Sequence, residues 1–344
     1  MPLWSKKITK LSHAPTFRKT LAIGFICVIC VVSFLVEIFG GTAGWSYDDW
    51  YGPFYPEKKD RGFTELEFYS NFFDCVEVNS TFYRHFPPST AEKWLREVSK
   101  NDKFVFIVKL FRQFTHGSRQ RDEEFLKNRS IINEFLSPFM EQKKLGGILI
   151  QFSEYYRESV EARDYVTLIM DMFHDYPLFF ELRHVSWYSQ QAKDFLKHNE
   201  ANVIAIDQPQ LKGMIDFDPE IMGRIGYVRF HGRNAEAWEA GRRNLKGEKV
   251  SEDRSARYNY LYSGSELDEI EHKLRKVKAR CERTYLIMNN HPLGKAIVNA
   301  LELIRRMRDQ EKVRVPDTTL KYFPEVGKFA DKVIVSPIGN LFQR

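Results

Sequence analysis

The chain has 344 residues, of which 43% are hydrophobic, 28% charged and 15% aromatic. That balance excludes a disordered chain, a collagen-like repeat and a small disulfide-stapled domain, and the length suits one large α/β barrel or two modest domains. With 52 basic against 46 acidic residues the formal charge is +6, a mild excess that does not by itself argue for nucleic acid. The four cysteines, Cys27, Cys30, Cys75 and Cys281, are too few and scattered for a disulfide framework. Cys27 and Cys30 form a CxxC, but it lies in an apolar run and lacks the second pair of a zinc site.

Residues 1–20 carry Lys6, Lys7, Lys10, Arg18 and Lys19 and no acid, and an apolar run follows from Leu21 to Val36. A basic flank before an apolar stretch is the pattern of a signal anchor, and no A-x-A-like cleavage site follows it. As a helix the run would be roughly 24 Å long, short against a hydrocarbon core of about 30 Å. It also runs directly into VEIFGGTAGW, which reads as the first strand of a folded domain, and a strand and a bilayer helix cannot share the same residues. Two expectations follow. Either translation begins near Leu35 or Val36 and the domain is cytoplasmic, or residues 21–36 anchor it to a membrane.

From Val36 onward, short β-rich runs alternate with amphipathic stretches. The predicted strands are VEIFGG (36–41), CVEVN (75–79), FVFIVK (104–109), GILIQF (147–152), LFFELR (178–183), VIAID (203–207), GYVRF (226–230) and TYLIMN (284–289). Most are nearly continuous apolar runs, as expected of strands buried on both faces of a parallel sheet. Between them, Ser89 and Glu92 read as a capping box, and Leu267, Ile270, Leu274 and Val277 form a helical stripe. Eight such βα units match a (β/α)8 TIM-type barrel over residues 36–308. An open doubly wound sheet is the alternative, but Gly40, Gly41 and Gly44 do not make the GxGxxG that it would place after the first strand. Residues 309–344, broken up by Pro316, Pro324 and Pro337, read as an irregular C-terminal extension.

In such a barrel the active site lies at the C-terminal ends of the strands, and strand residues two apart share a face. The pairs Glu77/Asn79, Glu181/Arg183 and Arg229/His231 have that spacing. Lys109, Gln151, Asp207 and Asn289 also close or follow strands, with Tyr83, His116 and Arg233 in the loops beyond. Burying so many polar groups is costly unless they pair or serve a ligand.

The motifs GTAGWSY (41–47), VEVNSTFYR (76–84), VKLFRQFTH (108–116), LGGILIQF (145–152), ELRHVSW (181–187), RFHGR (229–233) and MNNHPLGKAIVNALEL (288–303) together resemble the YecE-like family, domain of unknown function 72. The resemblance covers residues 38 to about 305 and implies a TIM-barrel-like fold, without implying a reaction. Two departures stand out: Ser153-Glu154 stands where the family usually has prolines, and Val185 replaces the proline of ELRHPSW. The first 35 residues lie outside the resemblance, which favours the later start.

The favoured functional reading is an enzyme, a hydrolase or isomerase acting on a small anionic substrate that is phosphorylated or sugar-like. Lys109, Arg183, Arg229 and Arg233 would hold the anion, Asn79, Tyr83, Asn289 and Trp45 would orient or wall it, and no cofactor is required. Glu181, raised toward neutrality by burial, would be the general base and His231 the acid, with Glu77, Asp207 and His116 as further acid–base groups. A divalent metal held by Glu77, Glu181, Asp207 and His231 is a second reading. A nucleic-acid-binding module is the third. It rests on Arg242, Arg243, Lys246, Lys249, Arg254 and Arg257 interleaved with Trp238, Tyr258, Tyr260 and Tyr262, although nearby acids make a lid over the mouth the better expectation. The plain alternative is that the strand-end charges form ion pairs plugging the barrel. Trp45, Tyr47, Trp50, Phe54 and Tyr55 read as packing rather than stacking aromatics.

Overall fold

The computed structural model describes residues 36–59, 61–117, 121–245, 253, 255–278, 280–336 and 341–343. The N-terminal basic and apolar segments, with Cys27 and Cys30, lie outside the described residues, as do Lys246, Lys249 and Arg254. Among the described residues no helix is long and apolar enough to cross a membrane.

The β-branched and aromatic runs form nine parallel strands: β1 (Glu37–Ala43), β2 (Cys75–Val78), β3 (Val105–Lys109), β4 (Leu145–Gln151), β5 (Leu178–Glu181), β6 (Asn202–Val203), β7 (Ala205–Asp207), β8 (Ile225–Phe230) and β9 (Arg283–Met288). Their order is β6-β5-β4-β3-β2-β1-β9-β8-β7. The two ends of that order are neighbours in the chain. β6 pairs with β5, β7 pairs with β8, and between them the Ile204 amide donates to Phe180 O at 3.0 Å. The predicted run VIAID is therefore one strand position broken at Ile204, and it closes an eight-position barrel. The outer layer comprises α1 (Glu65–Ser70), α2 (Pro88–Glu97), α3 (Gln113–His116), α4 (Glu123–Glu141), α5 (Val160–Met172), α6 (Gln190–His198), α7 (Ala235–Leu245), α8 (Gly264–Lys278) and α9 (Lys295–Met307).

Two apolar clusters result from the strand periodicity. Phe39, Ile107, Leu149, Phe179, Ile204, Ile206, Tyr227, Tyr285 and Ile287 fill the barrel interior, and the alternate residues join the helices in a larger outer core. Inside, Phe179 meets Tyr227 edge-on at 5.0 Å and Tyr285 at 5.7 Å, so the barrel is packed rather than hollow. Leu267, Ile270, Leu274 and Val277 are buried along α8 as the stripe predicts. The capping box is a correction. α2 begins at Pro88 after an extended Pro87, so Ser89 lies inside the first turn and caps nothing. Asp122, Ser159 and Ser189 do cap α4, α5 and α6, accepting from the amides of Phe125, Ala162 and Ala192.

The C-terminal extension is more regular than its prolines suggest. β10 (Val313–Pro316), α10 (Asp317–Tyr322), β11 (Ala330–Val335) and β12 (Leu341–Gln343) include a three-stranded sheet, parallel between β10 and β11 and antiparallel between β11 and β12. Thr318 and Thr319 hydroxyls bond the carbonyls of Phe54 and Pro53 at 2.7 and 2.9 Å, tying the extension to the loop after β1. In that loop Trp50, Phe54 and Tyr55 are fully buried, as the packing expectation has it.

Candidate active site

Strand parity sends three predicted pairs into the barrel mouth. The fully buried Glu77 of β2 and Glu181 of β5 grip the guanidinium of Arg229 from β8. Arg229 Nη2 is 2.7 Å from Glu77, and Nη1 bonds both Glu181 and, at 3.1 Å, Gln151. Glu181 also accepts from Arg183 Nε at 2.5 Å, and the Tyr227 hydroxyl donates to Glu77. Burial alone would raise the Glu181 carboxyl, but Arg183 and Arg229 overcome it and hold the group well below the usual carboxylate range. Glu181 is therefore a fixed anion rather than a base poised near neutrality, which corrects the sequence expectation.

His231 is likewise different from its expected role as an acid. Burial, then the adjacent Arg183, depress it to about 3, so it is neutral at physiological pH. Its Nε2 lies 3.1 Å from Arg183 Nη2 and its Nδ1 lies 2.8 Å from the Asn289 amide. Arg183 Nη2 and Asn289 Nδ2 are both donors and the neutral ring has one acceptor nitrogen, so it accepts from one of them at a time. His231 thus holds Arg183 and Asn289 in place from beneath the mouth.

Above this layer opens a cavity of about 590 Å³ lined by Asn79, Tyr83, Lys109, His116, Arg183, Arg229 and Asn289 among the predicted residues. Tyr83 is 69% exposed and stands at the rim. Lys109, at the end of β3, is buried with its ammonium 4.4 Å over the Phe82 ring, and among the described residues it makes no ion pair. Burial and the nearby Arg229 guanidinium bring it down to about 7. His116, hydrogen-bonded to Thr115 at 2.8 Å and edge-on to Phe82, is lowered by burial and by Lys109.

Three predicted residues lie elsewhere. Asp207 follows Ile206, which points into the barrel, so its carboxylate faces outward. There it binds Arg233 Nη2 at 2.6 Å and accepts from the Tyr262 hydroxyl at 2.6 Å. Asp207 and Arg233 are therefore a structural pair between strand and helix layers, outside the cavity lining. Trp45 should follow Ala43 inward by parity, but Gly44 adopts φ +90° and turns the chain, and Trp45 packs edge-on against Trp94 at 5.1 Å. For the four-residue metal set, Arg229 occupies the space between Glu77 and Glu181 while Asp207 faces away. Among the described residues no group of three or more His, Cys, Asp or Glu side chains is disposed to hold a metal ion.

Long-range contacts supply what sequence reasoning missed. Tyr47 returns to the mouth and stacks on His291 at 4.4 Å, both lining the cavity. Trp238 and Arg242 of α7, with Arg257 and Tyr258 beyond it, line the same opening, in the stretch for which the sequence predicts a lid over the mouth. Arg242 Nη2 binds at 3.0 Å to Glu154, one of the three residues that depart from the family pattern. Arg257 lies over the rings of Trp238 and Tyr258 at 5.7 and 5.0 Å and has no carboxylate partner among the described residues.

A closed parallel barrel with a polar, ion-paired layer beneath an open mouth defines the class: a TIM-barrel-like α/β protein with a built C-terminal-face cavity. Residues 39–321 match the family described as "Protein of unknown function DUF72", and the chain belongs to that family. It is similar to UPF0759 protein YunF of Bacillus subtilis (strain 168), 28% identical over 280 residues, or 78% of this chain and 93% of the relative. A crystal structure of a DUF72 family protein from Thermotoga maritima MSB8 is 28% identical with a TM-score of 0.68, over 78% of this chain and 98% of that one. One from Enterococcus faecalis V583 is 26% identical with a TM-score of 0.67, over 79% and 96% of the respective chains.

Proposed function

We propose that the barrel mouth is the active site of an enzyme that binds a small anionic substrate, phosphorylated or sugar-like, and converts it by hydrolysis or isomerisation. The observation that carries this reading is the charge left after the ion pairs are matched. Glu77 and Glu181 serve Arg229 and Arg183, and Glu154 serves Arg242. Lys109 and Arg257 then line the cavity without a carboxylate partner among the described residues. A cation withdrawn from water and left unpaired is costly, and a bound anion relieves that cost.

The proton-transfer groups that suit neutral pH are Lys109 and His116, both on the cavity wall and both shifted toward the uncharged form. Glu181 and His231 act through their partners. They fix the Arg183 and Arg229 guanidiniums, which would contact the anion, and Asn289 beside them. Titration calorimetry at low ionic strength with inorganic phosphate, glycolate and a panel of sugar phosphates tests the reading. Saturable one-to-one binding that weakens with salt is expected. Absence of binding by every anion in the panel would overturn it.

A further inference from the structure

Lys109 has surroundings that simple anion binding does not require. It ends β3 on the face that carries Val105 and Ile107 into the barrel, so its side chain enters the mouth from a rigid strand. The nearest support for its ammonium is the Phe82 ring at 4.4 Å. The charged groups that face it are Arg229 and Glu77 from β8 and β2, Glu181 at the end of β5, and Arg183 just beyond. Both carboxylates are already bound by guanidiniums, so like charge and burial dominate at Lys109. An arginine would hold an anion better and could never lose its proton. A lysine in such a setting offers a free amine.

We propose that Lys109 is a nucleophile that captures an anionic aldehyde or ketone as an imine. This deepens the anion-binding reading and rests on it. Arg183 and Arg257 would bind the substrate's anionic group, while Asn79, whose Oδ1 is buried on the cavity wall with no donor among the described residues, would accept a substrate hydroxyl. The Lys109 lone pair adds to the carbonyl carbon and the carbonyl π pair moves to oxygen. That oxygen takes one proton from nitrogen, giving a carbinolamine. His116 relays the second nitrogen proton to the hydroxyl, which leaves as water, and the C=N bond forms. Amine plus carbonyl gives imine plus one water, with no oxidant or reductant needed. With Lys109 near 7, about half is free amine at pH 7, against on the order of one in 10³ for an unperturbed lysine.

The test uses the full chain, glyoxylate as an anionic aldehyde probe, and cyanoborohydride to reduce any imine. At pH 7 a single carboxymethyl adduct on the Lys109 peptide is expected, at least 100-fold faster than on surface lysines (roughly the ratio of free-amine fractions, discounted tenfold). The adduct should be absent from Lys109→Arg, and mapping on the wild-type chain stands even if that variant does not fold. Adducts spread over surface lysines with none at Lys109 would overturn the proposal. Glycolate, which has the anion but no carbonyl, separates the two ideas. If glycolate binds yet no Lys109 adduct forms, the imine is wrong and anion binding stands. If the adduct forms at the same rate in excess glycolate, the lysine is nucleophilic but the anionic substrate class is wrong.

Discussion

Arg229 Nη2 lies 2.7 Å from Glu77 Oε1, joining β8 to β2 across the barrel interior between residues 152 apart in sequence. The same guanidinium reaches Glu181 and Gln151, so one side chain from β8 ties together β2, β4 and β5. This layer fixes the Arg183 and Arg229 guanidiniums beneath the mouth.

Removing that guanidinium should be severe. Arg229→Met leaves two fully buried carboxylates short of their shared partner, and a loss of about 3–5 kcal/mol is expected in urea unfolding. Adding Glu77→Gln to Arg229→Met should recover part of the loss, because one stranded charge is then gone. A single variant as stable as the wild type would show that the pairing contributes nothing.

Lys109 gives stability a slope on the alkaline side. Its amine is held at about 7 in the folded chain and returns to its ordinary value near 10.5 when unfolded, so between those values the unfolded state binds more protons. Stability should therefore rise as pH goes from about 7 toward 10, by at most about 1.4 kcal/mol per pH unit from this group. Lys109→Met should flatten the slope, measured as unfolding midpoints in urea at several pH values.

Glu181 acts in the acid range with a slope of the same sign. Its folded carboxyl is held below the ordinary value, so its contribution is complete above the usual carboxylate range and is lost as pH falls below that range through the depressed folded value. Glu181→Gln should weaken the acid dependence of unfolding while lowering stability at neutral pH, and an unchanged acid limb would contradict the assignment.

Asp207 separates structure from site. Asp207→Asn weakens the bonds to Arg233 and Tyr262 on the outer face of β7, and should cost about 1–3 kcal/mol of stability. Anion affinity measured by calorimetry should stay within about twofold, roughly 0.4 kcal/mol. A large loss of binding in a folded variant would return Asp207 to the active site.

Arg257→Ala should do the reverse. Its side chain lies over Trp238 and Tyr258 with no ion pair to break among the described residues, so stability should change by less than about 1 kcal/mol. Affinity for phosphate should fall about tenfold, or roughly 1.4 kcal/mol. Binding as tight as that of the wild type would remove Arg257 from the anion site.

The parallel α/β architecture was legible in the sequence, because apolar runs such as FVFIVK suit strands covered by helices on both faces, and eight βα units without a GxGxxG pointed to a barrel rather than an open sheet. The sequence also determined that Glu77 and Asn79, Glu181 and Arg183, and Arg229 and His231 share a face, since a strand's period of two is a local property. Tertiary structure decided the rest. The positive φ of Gly44 carries Trp45 away from the mouth, a local geometry with no signature in hydrophobic pattern, whereas Asp207 faces outward by the unbroken alternation that sends Ile204 and Ile206 inward. Which cation each carboxylate binds, and hence why Glu181 stays ionised while Lys109 sheds its proton, depends on side chains from β2, β3, β5 and β8 that meet only when the barrel closes. Ionisation follows burial and the nearest charges, and both are set by strand register across the whole chain.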